Sequence, residues 1–181
     1  MESVKEKQKK AYEAMKAEFG YANSMAAPRI TKVTINIGTG KRSRNDRNFN
    51  ELVTDRIAKI TGQKPAIRGA KKSIAGFKIR TNDPVGQLVT LRGPRMFTFL
   101  DKLIDIALPR TKDFRGLKRS SVDAMGNMTL GIKEHTIFPE CSEEEIRDVF
   151  GFSITITTTA KTKAEAMKFL ELIGMPFVKA A

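Results

Sequence analysis

The stretch "GQKPAIRGAKKSIAGFKIR", from Gly62 to Arg80, contains six Lys or Arg residues and no Asp or Glu. Cations at that density, unrelieved by carboxylates, repel one another until a polyanion neutralises them. Lys71, Lys72, Lys78 and Arg80 are placed to track phosphates. The segment "KRSRNDR" (41–47) adds a second basic loop. "GAKKSIAGF" lacks the G-x-x-x-x-G-K-[ST] spacing of a nucleotide-cradling loop and opens no helix, so an NTPase site is excluded.

The basic excess is concentrated. Residues 1–55 hold eleven basic and seven acidic residues, residues 56–100 ten and one, and residues 101–181 twelve of each, which sums to the net charge of +13. Nucleic acid is the partner this distribution favours. In the balanced segment two opposed clusters stand out. Arg110, Lys112, Arg115, Lys118 and Arg119 face only Asp113 in sequence. Glu140, Glu143, Glu144, Glu145 and Asp148 face only Arg147. The acidic cluster would be repelled by RNA and suits a basic protein or water.

Catalysis finds little support. His135 has no nucleophile motif near it. Glu143, Glu144 and Glu145 are consecutive, so their side chains diverge on a helix. Cys141 beside them would have its thiolate disfavoured. One Cys and one His make neither an internal disulfide nor a His/Cys zinc site. No cofactor or metal is expected. No apolar run approaches the length of a membrane span, and the N-terminus carries no apolar signal region, so a soluble cytoplasmic chain without membrane contact is expected.

The elements that position these residues can be read from their periods. Val4, Ala11, Tyr12, Met15 and Phe19 recur at helical spacing before Gly20, which predicts a helix over 3–19. "ITKVTINIG" (30–38) alternates, with Val33, Ile35 and Ile37 inward and Lys32, Thr34 and Asn36 outward. Phe49, Leu52, Val53, Ile57 and Ile60 mark a second helix closed by Gly62. "KPAIRG" reads as a short strand, and "AKKSIAGFKIRTNDPVG" as a hairpin-like excursion, with Gly69 and Gly76 as hinges of a flexible arm over about 69–83. "QLVTLRG" (87–93) reads as a strand with Leu88, Thr90 and Arg92 outward. Met96 to Leu108 carry the strongest amphipathic pattern, ended by Pro109. Residues 109–127 form a long connection. "MTLGIKEHTIF" (128–138) predicts one or two strands, and 139–150 a short acidic helix. "FSITITTT" (152–159) alternates as a strand. Thr162 and Glu165 form a capping-box pattern for a last helix ended by Gly174.

This order predicts an α+β fold in one domain over 1–181: a largely antiparallel sheet with helices on one face and the other face open. Lys32, Thr34, Asn36, Thr90 and Arg92 would line the open face. They are hydroxyls, an amide and cations with no carboxylate, suited to phosphate, ribose hydroxyls and base edges. Neither strand carries an aromatic, so stacking on unpaired bases is not the expected mode. Shape, sugar and backbone contacts on a structured RNA fit better.

At this point the blocks "PRITKVTINIGTG", "TGQKPAIRGAKKSIAGFKIR", "VTLRG", "FLDKLIDIALPRTKDFRGL", "FGFSITITTTAKT" and "GMPF" resemble, in order and spacing, the family of the bacterial large-subunit ribosomal protein numbered five. The resemblance covers nearly the whole chain. It implies an RNA-recognition-like sandwich with an extended basic loop, set in the large ribosomal subunit without catalysis. It implies 5S rRNA binding through Asn36, Gln63 and Thr90, with Lys32, Thr34, Lys64, Arg68 and Arg92 beside them. Gln63 enters only through the resemblance. The arm, with Lys71, Lys72, Ser73, Gly76, Phe77, Lys78 and Arg80, would reach the P-site tRNA. Arg110, Lys112, Glu143, Glu144 and Glu145 would lie near an inter-subunit bridge to a basic small-subunit protein. 23S rRNA and other 5S-associated ribosomal proteins are implied partners. Three blocks depart from the family: Pro94 gives "GPRM" where a Glu is usual, "VDAMGNM" carries no contact over at 122–128, and "RSRNDRN" replaces the usual loop after "NIGTG". The other reading of the same residues is a free-standing basic RNA chaperone or RNA-modification accessory.

Overall fold

The computed structural model of the chain describes residues 2–43, 46, 48–141 and 148–178. Nine regular elements follow one another within them. They are α1 (Val4–Phe19), β1 (Ile30–Gly38), α2 (Phe49–Thr61), β2 (Ala66–Gly69), β3 (Pro84–Leu91), α3 (Gly93–Lys102), β4 (Met128–Ile132), β5 (Phe152–Thr158) and α4 (Lys163–Ile173). The five strands form one antiparallel sheet in the order β2-β3-β1-β5-β4, and the class is α+β as expected.

The chain divides into two compact units. One comprises Met1–Val33, Leu91–Leu130 and Thr155–Ala181; the other comprises Thr34–Thr90 and Gly131–Ile154.

In the first unit, α1 packs on α4 and on α3. Ser3 caps α1 by accepting from Lys5 N, and its hydroxyl donates to Asp101 on α3 at 3.0 Å. Val4, Ala11 and Met15 are buried, while Tyr12 and Phe19 of the same pattern are only half-buried. The apolar stripe of α3 buries Met96, Phe99 and Leu100. It continues through a wider π turn, Leu103–Ala107, in which Leu108 N donates to Leu103 O at 2.9 Å. Each fully buried Leu, Phe or Met there is worth about 1.5–3 kcal/mol over exposure. Thr162 caps α4 by accepting from Glu165 N, as its spacing predicts. Glu165 does not complete the box at Thr162. Its carboxylate accepts from Lys161 N at 2.7 Å and from the Tyr21 hydroxyl at 2.5 Å.

In the second unit, the buried register positions of the strands are Ile35, Ile37, Gln87, Val89, Ile132, Phe152 and Ile154. Buried Gln87 donates from Nε2 to the Asn50 carbonyl at 2.6 Å, which places α2 on that face. Val53, Ile57 and Ile60 of α2 are buried, and Gly62 (φ 67) ends the helix with its N–H on Ala58 O.

The excursion joins two paired strands. β2 and β3 pair directly, Ala66 opposite Leu88 and Arg68 opposite Gly86, and residues 70–83 are the connection between them. β3 begins at Pro84, three residues earlier than the alternation shows, because Pro84 and Val85 carry no polar–apolar contrast. Only one strand forms in 128–138. After Ile132 the chain turns into a 3₁₀ turn, His135–Ile137. His135 is wholly buried there, stacked on Phe150 at 4.1 Å, with its Nδ1 accepting from Phe150 N. Core packing of that ring replaces strand pairing. A 3₁₀ turn occupies Pro139–Cys141, residues 148–150 form no α-helix, and 142–147 of the expected acidic helix lie outside the described residues.

Candidate nucleic-acid interface

The exposed face of the sheet in the second unit starts from parity. Residues alternating with the buried set on β1 are Thr34 and Asn36, and on β3 Leu88 and Thr90. Thr34 and Thr90 are half-buried, and Asn36 is exposed. On edge strand β2, Ala66 and Arg68 stand opposite Leu88 and Gly86 and so share this face. On β5, Ser153 donates from Oγ to the Asn36 carbonyl at 3.3 Å. That bond fixes the Asn36 backbone and leaves its side-chain amide without a protein partner among the described residues. Thr34 and Thr90 hydroxyls are equally free. No strand of this unit carries a carboxylate.

Gln63 joins the face through the end of α2. Thr61 Oγ1 donates to Ile57 O at 2.7 Å and accepts from Gln63 N at 3.3 Å, and Gly62 takes the left-handed turn between them. The turn carries the Gln63 side chain to β3, where Nε2 donates to the Thr90 carbonyl at 3.4 Å. Its Oε1 stays available. Lys64 and Arg68 are exposed beside it, and Pro65 between them is buried, which anchors the turn.

Sequence reasoning placed Lys32 and Arg92 on the same face, and the two fare differently. Lys32 is a half-buried residue of β1, in the first unit. Arg92 lies past the end of β3. It is exposed at the N-cap of α3, because Gly93 (φ 60) turns the chain into the helix directly after Leu91. Neither is placed with Asn36, Gln63 and Thr90 by packing within one unit.

The arm, residues 70–83, is a hydrogen-bonded loop. At its base Ala70 N donates to Asp83 O and Asn82 N to Ala70 O, both at 2.9 Å. The Asp83 carboxylate accepts from Arg80 N at 2.7 Å. Near the tip Ile74 and Ile79 exchange N–H···O bonds of 3.0 and 3.2 Å around a 3₁₀ turn, Ala75–Phe77. Ser73 Oγ donates to Ile79 O at 3.1 Å. Gly69 and Gly76 take no left-handed conformation; Lys78 (φ 49) and Asn82 (φ 72) do. Lys71, Lys72, Lys78 and Arg80 are exposed and carry no ion pair among the described residues. Phe77, at 62% exposure, is the most exposed large apolar side chain of the arm.

The remaining candidates lie elsewhere. Arg110 and Lys112 are exposed in the first unit. Glu143, Glu144 and Glu145 lie outside the described residues. Cys141 is buried. No group of His, Cys, Asp and Glu among the described residues could hold a metal ion. No helix among them is long and apolar enough to cross a membrane.

Comparison with known proteins adds a second line of evidence. A family model described as "Ribosomal protein L5" matches residues 23–80, and a second model, for the C-terminus of the same ribosomal family, matches residues 84–177. The chain is 49% identical over 180 residues to the large ribosomal subunit protein uL5 of Thermoanaerobacter sp. (strain X514), covering 99% of this chain and 100% of the relative. It is 50% identical over 164 residues to the uL5 of Rubrobacter xylanophilus, covering 91% of each. It is also 50% identical over 174 residues to the uL5 of Thermotoga sp. (strain RQ2), covering 94% of this chain and 92% of the relative.

Proposed function

The chain belongs to the ribosomal protein L5 family, and on that premise we propose that it is a structural constituent of the large ribosomal subunit that binds 5S rRNA. The family is one of non-enzymatic structural proteins of the cytoplasmic ribosome, so the role is recognition. One observation carries the RNA reading. The exposed sheet face of the second unit presents the Asn36 amide, the Thr34 and Thr90 hydroxyls and the Gln63 side chain, with Lys64 and Arg68 at its edge and no carboxylate on its strands. Neutral donors and acceptors flanked by cations suit ribose hydroxyls, base edges and phosphates together.

The arm is the surface we assign to P-site tRNA, through Lys71, Lys72, Lys78 and Arg80, with Phe77 exposed at its tip. The acidic segment around Glu140 to Asp148 is assigned to a basic small-subunit protein across the subunit interface by charge complementarity. 23S rRNA and other 5S-associated proteins complete the surroundings.

The test is a titration of the purified chain with 5S rRNA and with an unrelated structured RNA of equal length at several salt concentrations. Preference for 5S rRNA by about a hundredfold, lost in part in Asn36→Ala and Thr90→Ala at about 1–3 kcal/mol each, supports the reading. Equal binding of both RNAs, sensitive only to Lys71→Ala/Lys72→Ala, overturns it in favour of a free-standing basic RNA chaperone.

A further inference from the structure

β2 is an end strand of the sheet, with β3 on one side and no strand on the other. All four of its residues are exposed. Its outer row of backbone N–H and C=O groups is a ready template for one more strand. The edge is nevertheless firmly held. Buried Pro65 precedes it, and Ala66, Ile67 and Arg68 pair with Leu88, Gln87 and Gly86. The register shifts between Arg68 and Gly69, and pairing resumes where Ala70 N donates to Asp83 O at 2.9 Å.

Ile67 stands opposite Gln87, which is wholly buried and bonded to the Asn50 carbonyl of α2. Residues directly opposite share a face, so Ile67 lies on the core side of the sheet. It is nevertheless 60% exposed. The apolar face thus runs one strand beyond its helical cover. Arg68, the next residue, belongs to the opposite face. Lys64, Arg68, Lys71 and Lys72 are all exposed, and none has an ion pair among the described residues. The open edge is therefore cationic from end to end.

We infer that β2 accepts an added strand from an acidic protein. The two faces of the edge fix the pattern of that strand: apolar residues beside Ile67 alternate with carboxylates beside Arg68. A second copy of this chain fits badly, because joining two β2 edges sets Lys64 and Arg68 against the same cations. RNA neutralises the cations but supplies neither a peptide ladder nor apolar cover for Ile67. Lys64 and Arg68 also border the face assigned to 5S rRNA, so an added strand and that RNA exclude each other. The partner is then a protein that holds the chain before it meets RNA. Strand addition rests on the edge and its charge alone; the exclusion rests on the 5S reading.

The probe is a fluorescein-labelled peptide of alternating Val and Glu, about ten residues long, enough to overrun the edge at both ends. Anisotropy follows its binding to the full chain, beside a peptide of the same composition with Val and Glu in separate blocks. Both carry the same charge and only one makes a two-faced strand, so the alternating peptide is expected to bind about tenfold more tightly. Amide exchange is expected to slow at alternate positions within 66–70. Ile67→Thr keeps β-propensity and charge, and is expected to weaken the alternating peptide about threefold without affecting the block peptide. Arg68→Glu sets like charges side by side and is expected to weaken it by about fivefold or more. Added 5S rRNA is expected to release the peptide.

Equal binding of the two peptides, or unchanged exchange at 66–70, overturns strand addition and leaves only attraction of a polyanion. Slowing of the same amides as the chain alone is concentrated assigns the edge to a second copy and overturns the acidic partner. Slowing by 5S rRNA without slowing by the peptide assigns the edge to RNA and overturns it equally. 5S rRNA that binds without releasing the peptide overturns the exclusion. 5S rRNA that binds no better than an unrelated RNA counts against the 5S reading and leaves strand addition supported by the peptide.

Discussion

The side-chain amide of Gln63 donates to the backbone carbonyl of Thr90 at 3.4 Å, across 27 residues of sequence. The bond ties the turn after α2 to β3 at the exposed sheet face. It also orients Gln63 Oε1 outward as an acceptor. Replacing the donor by a carboxylate sets two acceptors against each other and adds a negative charge facing RNA. Gln63→Glu is therefore expected to weaken 5S rRNA binding more than Gln63→Ala, which costs about 1–3 kcal/mol as a lost specific contact. Equal effects of the two substitutions in a filter-binding titration would show that the Gln63 side chain is not at the RNA.

Lys78 closes the tip of the arm in a left-handed conformation, φ 49, with its N–H on Ala75 O at 2.9 Å. A non-glycine residue bears about 1–2 kcal/mol of strain there. Lys78→Gly removes charge and strain; Lys78→Ala removes only charge. Both are expected to weaken tRNA binding alike. Amide hydrogen exchange at Ile74 and Ile79, whose N–H groups close the tip, is expected to be slower in the Gly variant than in the Ala variant. The reverse order would show that the turn is not what holds the tip.

Much of this was legible before any coordinates. Alternation in 30–38 assigned Thr34 and Asn36 to the open side because a period of two admits only two faces, and the helical stripes of α1, α2, α3 and α4 follow from the spacing of their apolar residues. Three features were not legible, each for a physical reason. Gln63 follows a helix stop, and only its bond to Thr90 brings it to the sheet; nothing local announces that. Arg92 continues the parity of β3 but leaves the strand, because Gly93 reverses the backbone one residue later. The end of β4 is set by the burial of His135 against Phe150, a pairing 15 residues apart that no periodicity records. The sign and density of charge in the arm were plain, whereas its hydrogen-bonded closure depends on Ile74 meeting Ile79, which neither strand nor helix period describes.

Gly86 lies on β3 where a Cβ would come 2.9 Å from the backbone carbonyl of Ile37 on β1. The obstacle is backbone, so it cannot rotate away. Gly86→Ala is expected to destabilise the chain by about 1–3 kcal/mol, the usual cost of overpacking. Because the same shift separates Thr90 from Asn36, 5S rRNA affinity is expected to fall together with the melting temperature. The solvent-facing Gly131→Ala, whose Cβ meets nothing within 4 Å, is the matched control for lost glycine flexibility. A melting temperature for Gly86→Ala equal to that of the control would refute the close approach of the two strands.

Tyr21 donates its hydroxyl to Glu165 at 2.5 Å in the first unit. Burial, the hydrogen bond to Glu165 and the carboxylate charge all push the phenol's pKa up, beyond the ordinary tyrosine range. A raised folded-state pKa means that the bond contributes fully below the ordinary phenol value and is lost only as pH rises through the raised one. Stability from this pair is therefore expected to be flat through neutral and mildly alkaline pH and to fall at strongly alkaline pH. Tyr21→Phe leaves Glu165, 7% exposed, with Lys161 N and no hydroxyl. The loss is expected at about 1 kcal/mol, below the roughly 1.5–3 kcal/mol of a bond to a charged group, since Tyr21 itself is partly solvated. In an alkaline absorbance titration, the component removed by Tyr21→Phe should be one that ionises above the ordinary phenol range. If that component instead ionises at the ordinary value, the Tyr21–Glu165 bond does not persist in solution.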